Sequence, residues 1–187
     1  MVCRMATRFA DMFVPLDQDR RVDAPGHAEE AVTLEGFLRW QRATLELKCA
    51  GLSPEQLARR AVPPSTLSLL GLVRHLADVE RNWFRRGLAG ENVPPIYVST
   101  EEPDGDFDGA VADPAVVAQA WSAWRDEVEY ADRFVAATPD LLSVSVDDPD
   151  RGPLSLRWVL VHMIEEYARH VGHADLLRQL IDGRVGQ

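Results

Sequence analysis

The chain has 187 residues, 46% of them hydrophobic and 27% charged, which is typical of one soluble globular domain with a full core. Its formal net charge of −10 argues against binding to nucleic acid or to an anionic membrane, because either partner requires a basic surface. Two cysteines, Cys3 and Cys49, are too few for a disulfide framework. With no secretory h-region and no apolar run of about 18 residues, the sequence predicts a cytoplasmic protein without a membrane span.

The N-terminal region differs in pattern from the rest of the chain. Residues 1–32 lack sustained periodicity, so we interpret them as an N-terminal extension that packs across the domain or stays partly loose. Residues 33–187 then form the main domain. His27 lies in the extension beside a proline and a glycine, and we expect it to be exposed.

Helical periodicity begins after this extension. The first long helix is predicted to begin at Thr33, and Gly51 is expected to end it. A short connecting helix follows, with Ser53 as its N-cap and Gln56 closing a capping box. These signals predict a short helix that connects the first and second long helices.

The second long helix is predicted between Ser65 and Gly90. On this helix Arg74 and Asp78 are expected to face outward. An acidic connection, residues 91–113, follows it. Its EEPDGDFDGAVAD stretch lacks the ligand spacing and the terminal glutamate of a calcium-binding EF-hand, so we interpret it as a solvated loop.

Two further long helices complete the predicted fold. Asp113 and the proline after it open the third, while Ser155 and Gly183 are the expected cap and stop of the fourth. Four amphipathic helices without convincing alternating strands predict an all-α four-helix bundle. The connections after the second and third helices are long, and we expect up-down-down-up connectivity.

The fourth helix carries an acid and an imidazole on its apolar face. At about 100° per residue, Glu166 and His170 fall inside or at the rim of the apolar arc, whereas Glu165 and Arg169 fall outside it. Burying a carboxylate without a partner is unfavourable, so Glu166 requires compensation. For an isolated E-x3-H pattern, a buried hydrogen bond between Glu166 and His170 is the simplest interpretation.

A histidine on the second helix supports a different interpretation, a metal site. His75 lies at the edge of the apolar arc of that helix, and bundle cores assemble metal sites from facing helices. Two imidazoles and one carboxylate suit a catalytic divalent cation with an open coordination position. We therefore take His75, Glu166 and His170 as candidate ligands; zinc is the first expectation, and nickel, iron and manganese also fit.

Three other polar side chains are candidates for supporting these ligands. His162 and His173 lie near the same face of the fourth helix, where each could line the cavity or orient a ligand. His173 is close enough along the helix to replace His170 as a ligand. Glu80 falls within the apolar arc of the second helix, where we expect a buried pair with an arginine and a supporting role behind the ligands.

The resemblance to known proteins lies in two segments, TLSLLGLVRHLADVERNWFRRGLAGE and SLRWVLVHMIEEYARHVGHADLLRQLIDG. They resemble the DinB/YfiT-like superfamily, and its actinobacterial mycothiol-transferase-like branch in particular, over roughly 34–183. The resemblance implies a four-helix bundle, often dimeric, with a divalent metal held by one histidine on the second helix and H-x3-H on the last. His75 and His170 match that pattern. Glu166 replaces the middle histidine, as it does in the mycothiol-dependent maleylpyruvate isomerase relatives, whose His, Glu, His site holds zinc.

The same resemblance implies thiol chemistry. Relatives transfer a low-molecular-weight thiol such as mycothiol onto an electrophile, and coordination to a metal would activate that thiol. The expected partners are then a small-molecule thiol, a small electrophile and a second copy of the chain. Two alternatives stay open: a metal-dependent hydrolase in which Glu80 or His162 assists as a base, and a non-catalytic metal-containing stress or ligand-binding bundle.

Overall fold

The computed structural model of the chain describes residues 13–15 and 17–186. In chain order the elements are α1 (Glu30–Cys49), α2 (Pro54–Leu57), α3 (Leu69–Glu80), a π-helical segment (Arg81–Leu88) that directly continues α3, α4 (Gly105–Asp108), α5 (Pro114–Ala136), β1 (Ser145–Asp148), β2 (Gly152–Ser155) and α6 (Leu156–Asp182). The long helices α1, α3, α5 and α6 form the bundle, with α1 packed mainly on α6 and α3 mainly on α5. The predicted all-α bundle is confirmed, while the up-down-down-up order stays a prediction.

The predicted helix caps are present. The Ser53 hydroxyl accepts the backbone N–H of Gln56, and the Gln56 side chain accepts the backbone N–H of Ser53, which completes the capping box. Asp113 and Ser155 cap the N-termini of α5 and α6 through their side chains. Gly183 ends α6 with a φ of 78°, a left-handed conformation that glycine adopts without a steric penalty.

Some element boundaries differ from the prediction. α1 begins at Glu30 rather than Thr33. The residue before it, Glu29, makes no side-chain capping hydrogen bond, so no capping signal in the sequence indicates this start. α3 begins after Ser68, whose hydroxyl caps the helix, whereas Ser65 lies in the turn before it. The antiparallel hairpin of β1 and β2 was not predicted either, because its strands are only four residues long and their sequences, SVDD and GPLS, contain few of the β-branched and aromatic residues typical of strands.

The outward orientation predicted for Arg74 and Asp78 is wrong. Both side chains are buried, because the acidic connection 91–113 lies against this face of α3. The Asp78 carboxylate accepts the backbone N–H groups of Ile96 and Tyr97, and the Arg74 guanidinium donates to two backbone carbonyls of α4. The interpretation of this connection as a solvated loop is therefore wrong for the part that contacts α3.

The described part of the N-terminal extension packs on the bundle. Phe13 is buried, and its ring lies beneath the Lys48 ammonium at 4.2 Å and the Arg184 guanidinium at 4.3 Å. Cys3 lies outside the described residues. The division of the chain at residue 32 stays a prediction.

Among the described helices, none combines the length and the apolar character that crossing a membrane requires.

A buried carboxylate joins the four long helices. Glu80 on α3 is fully buried, and its two oxygens accept hydrogen bonds from Nε and Nη2 of Arg42 on α1, each at 2.7 Å. The Tyr167 hydroxyl on α6 donates to the same carboxylate at 2.8 Å and accepts the indole N–H of Trp124 on α5. The predicted arginine partner of Glu80 is thus Arg42. We call these four residues the buried network.

Replacing Glu80 by alanine should destabilise the fold strongly. Breaking a buried ion pair costs about 3–5 kcal/mol, and we expect the low end because Asp132 still contacts Arg42. Urea unfolding followed by circular dichroism measures the change in the free energy of unfolding. The matched control is Glu129→Ala, which removes an exposed pair with Arg133 worth about 0.2–1 kcal/mol. Equal losses in the two variants would contradict this account.

Candidate metal centre

The three candidate ligands converge between α3 and α6. One ligand atom from each of His75, Glu166 and His170 lies within 4.8 Å of the other two. Glu166 and His170 are four residues apart on α6, so they share one face, and Nε2 of His170 is 3.4 Å from Oε2 of Glu166. The rings of His75 and His170 meet edge to face with centroids 4.8 Å apart. Within the described part of the chain, no other group of three His, Cys, Asp or Glu side chains converges in this way.

The electrostatics of this cluster suit a cation. Burial, with smaller contributions from the neighbouring His75, His173 and Arg169, lowers the pKa of His170 to about 4, so this imidazole is neutral at pH 7 with a lone pair to share. Two imidazoles and a carboxylate form a donor set that fits zinc or another borderline divalent ion and leaves one coordination position open. The assignment of these residues as ligands stays a prediction.

His75 is also held by the acidic connection. Its Nδ1 lies 2.8 Å from Oδ2 of Asp106, whose side chain is only 6% exposed, and its ring stacks on Phe107 with centroids 5.3 Å apart. Because a carboxylate can only accept, Nδ1 carries the proton and Nε2 is the nitrogen left for a ligand bond. Asp106 escapes detection in the sequence because it lies in an acidic run typical of a solvated loop. The one feature of the sequence that could have indicated a docked segment is Phe107, an isolated aromatic residue within that run.

His173 lies beside His170 on the next turn of α6. The two Nδ1 atoms are 3.3 Å apart, and the ring centroids are 5.3 Å apart. His170 therefore presents Nε2 to Glu166 and Nδ1 to His173. This geometry favours His173 as an orienting partner of His170, and both the orienting role and the alternative ligand role stay predictions.

His162 lies at the rim of the cluster within a group of aromatic rings. It stacks on Trp158 and meets Trp83 edge to face, with centroid distances of 5.0 Å in both cases. Its Nε2 is 3.8 Å from Oε1 of Glu166. Trp83 belongs to the π-helical segment, a distortion that is frequent at functional sites. The result is a partly exposed aromatic surface next to the candidate ligands.

Glu80 is engaged in the buried network described above. Its carboxylate is held by Arg42 and by Tyr167, the residue that directly follows Glu166 on α6. Its predicted role as a support of the ligands would therefore act through the position of α6.

Comparison with known protein families gives a match over most of the chain. A family model described as Mycothiol-S-transferase matches residues 33–183, a range that contains nearly all of the bundle and every candidate ligand. A search of curated proteins finds no match. Because the matched range covers most of the chain, the resemblance to the mycothiol-transferase-like branch is confirmed. The chain belongs to the Mycothiol-S-transferase family.

Proposed function

We propose that the protein transfers a low-molecular-weight thiol of the mycothiol class onto a small electrophile, with a divalent cation held by His75, Glu166 and His170. Zinc is the first candidate for this cation. The observation that carries the proposal is the convergence of these three side chains from two helices to within 4.8 Å. Family membership supports the thiol as the co-substrate.

The bound cation would lower the pKa of a thiol in contact with it, which produces a nucleophile at neutral pH. The protein's own side chains prepare this chemistry. The neutral His170 supplies a lone pair without a proton to displace, and Glu166 supplies an anionic oxygen. The side chains of His75 and Glu166 are 26% and 25% exposed, so reactants can reach them from solvent.

The proposed transfer is a substitution that requires no oxidant or reductant. The thiol releases its proton to solvent at the open side of the cluster, and the sulfur forms a new bond to an electrophilic carbon. The leaving group of the electrophile departs with the bonding electron pair. The rings of Trp83, Trp158 and His162 form an aromatic cluster against which the organic part of the electrophile can pack.

The nucleophilic thiol has to come from outside the described part of the chain. Cys49 at the end of α1 is buried, and burial raises the pKa of its thiol to about 12. A thiol of that kind is protonated at neutral pH and shielded from reactants. The inertness of Cys49 supports a diffusible thiol as the co-substrate. The setting that we propose for this reaction is a reducing cytoplasm.

Assembly as a homodimer is also part of the proposal. The outer face of α6 presents apolar side chains that are about half exposed, namely Val161, Leu176 and Leu180. Such a face is covered in many proteins by a second subunit.

Substituting either histidine ligand should remove the metal. We expect His75→Ala and His170→Ala to lose bound zinc and transferase activity while keeping the helical circular dichroism of the parent. Elemental analysis of the purified variants measures the stoichiometry, and His27→Ala, at an exposed position in the extension, is the matched control. Full metal content in both ligand variants would refute the assignment.

Conjugate formation should require both the thiol and the metal. With mycothiol and an aryl halide such as a chlorodinitrobenzene, we expect a thioether product by mass spectrometry. Removal of the metal with a chelator should abolish this product, and added zinc should restore it. Product formation from the electrophile without any thiol would instead indicate hydrolysis, and thioether formation that survives chelation would contradict metal dependence.

Cys49 should be inert in the folded protein. In a Cys3→Ser variant at about pH 8, we expect iodoacetamide to alkylate Cys49 at least about a hundredfold more slowly in the native state than in the guanidinium-unfolded chain, because burial suppresses the thiolate. Mass spectrometry over time measures both rates. Comparable rates would show that this thiol is accessible and reactive.

A further inference from the structure

Residues 96–110, which we call the docked segment, are anchored to α3 on both sides of His75. Arg74 directly precedes His75, and its guanidinium donates to the backbone carbonyls of Gly105 and Asp106, each at 2.8 Å. One turn after it, the Asp78 carboxylate accepts two backbone N–H groups at the start of the segment. Arg74 also lies 3.8 Å above the ring of Tyr97. These contacts hold the docked segment against α3 next to His75.

Close packing leaves the docked segment little freedom at this position. A Cβ atom at Gly71 on α3 would come within 2.7 Å of the Phe107 ring, so glycine is required for the ring to reach the helix. A Cβ atom at Gly105 would collide with the backbone carbonyl of Tyr97. The backbone on both sides of Asp106 is therefore held within narrow limits.

Asp106 is the residue of the docked segment whose side chain contacts His75. One carboxylate oxygen accepts Nδ1–H of His75 at 2.8 Å, and the other accepts the backbone N–H of Phe107 at 2.9 Å. Phe107 stacks on the same imidazole. The proton position and the orientation of the His75 ring are thus set by two consecutive residues of the docked segment.

We propose that Asp106 is a positioning residue that holds His75 in the Nδ1–H tautomer, with Nε2 directed toward Glu166 and His170, and thereby couples docking of residues 96–110 to cation binding. The inference rests on the proposed function, because His75 must be a ligand. A carboxylate behind a ligating imidazole raises its basicity, and loss of such a partner lowers metal affinity by roughly 10–100-fold.

The direct test is the zinc affinity of two Asp106 variants, measured by competition with a chromophoric chelator. We expect Asp106→Ala to bind zinc roughly 10–100-fold more weakly than the parent, and Asp106→Asn to lie between them because its amide oxygen still accepts from Nδ1–H. The matched control is Asp108→Asn, at an exposed position of the same short helix that pairs with Arg60. The control should keep the parent affinity.

Two further measurements separate positioning from a general effect on folding. In nitrogen-15 NMR spectra of the zinc-loaded protein, the Nδ1–H signal of His75 should be present in the parent and lost or shifted in Asp106→Ala. Because docking and zinc binding are thermodynamically coupled, zinc should also slow amide hydrogen exchange at Ile96 and Tyr97. The slowing factor should be about equal to the factor by which Asp106→Ala weakens zinc binding. In Asp106→Ala that slowing should disappear.

The outcomes distinguish this inference from the proposed function. If His75→Ala loses zinc while both Asp106 variants keep the parent affinity, the positioning role is overturned and the metal site stands. If His75→Ala itself keeps zinc, the proposed function fails, and the positioning role fails with it. Should Asp106→Ala not fold, Asp106→Asn decides: weaker zinc binding supports the inference, and the parent affinity overturns it.

Discussion

The structure depends on the compensation of one buried carboxylate. Glu80 has no access to water, and an unpaired charge at that position would cost several kcal/mol, so the helices around it must supply partners. Arg42 and Tyr167 do so from α1 and α6. Tyr167 directly follows Glu166, and Glu80 lies a little over one turn after His75 on α3. The buried network therefore also sets the distance between the two helices that carry the candidate ligands.

α3 is held from two sides, and His75 lies at the boundary between them. Its inner face packs into the core around Glu80, and its outer face is covered by the docked segment through Arg74 and Asp78. The imidazole consequently lies close to the other candidate ligands and in contact with Asp106. A ligand placed in this way can be preorganised by groups that never touch the reactants, which is how proteins hold metal-binding imidazoles in one orientation.

The chemistry proposed for the site follows from the side chains that the described residues bring together there and from the burial of the thiol of Cys49. It supplies a neutral imidazole at His170, a carboxylate at Glu166 and an aromatic surface on one flank. The thiol on α1, Cys49, is too deeply buried to act as the nucleophile. A diffusible thiol activated at the cluster is consistent with both observations and with the family to which the chain belongs.

The sequence by itself determined the long helices, the caps of α5 and α6 and the shared face of Glu166 and His170, because periodicity and capping are local properties of each helix. It also predicted that His75 lies at the edge of an apolar arc, which is an equally local property. Only the tertiary structure decided that Arg74 and Asp78 are buried and that Asp106 contacts His75. Those outcomes depend on where a non-periodic acidic segment docks, and docking is set by contacts between residues distant in sequence, which no local pattern encodes.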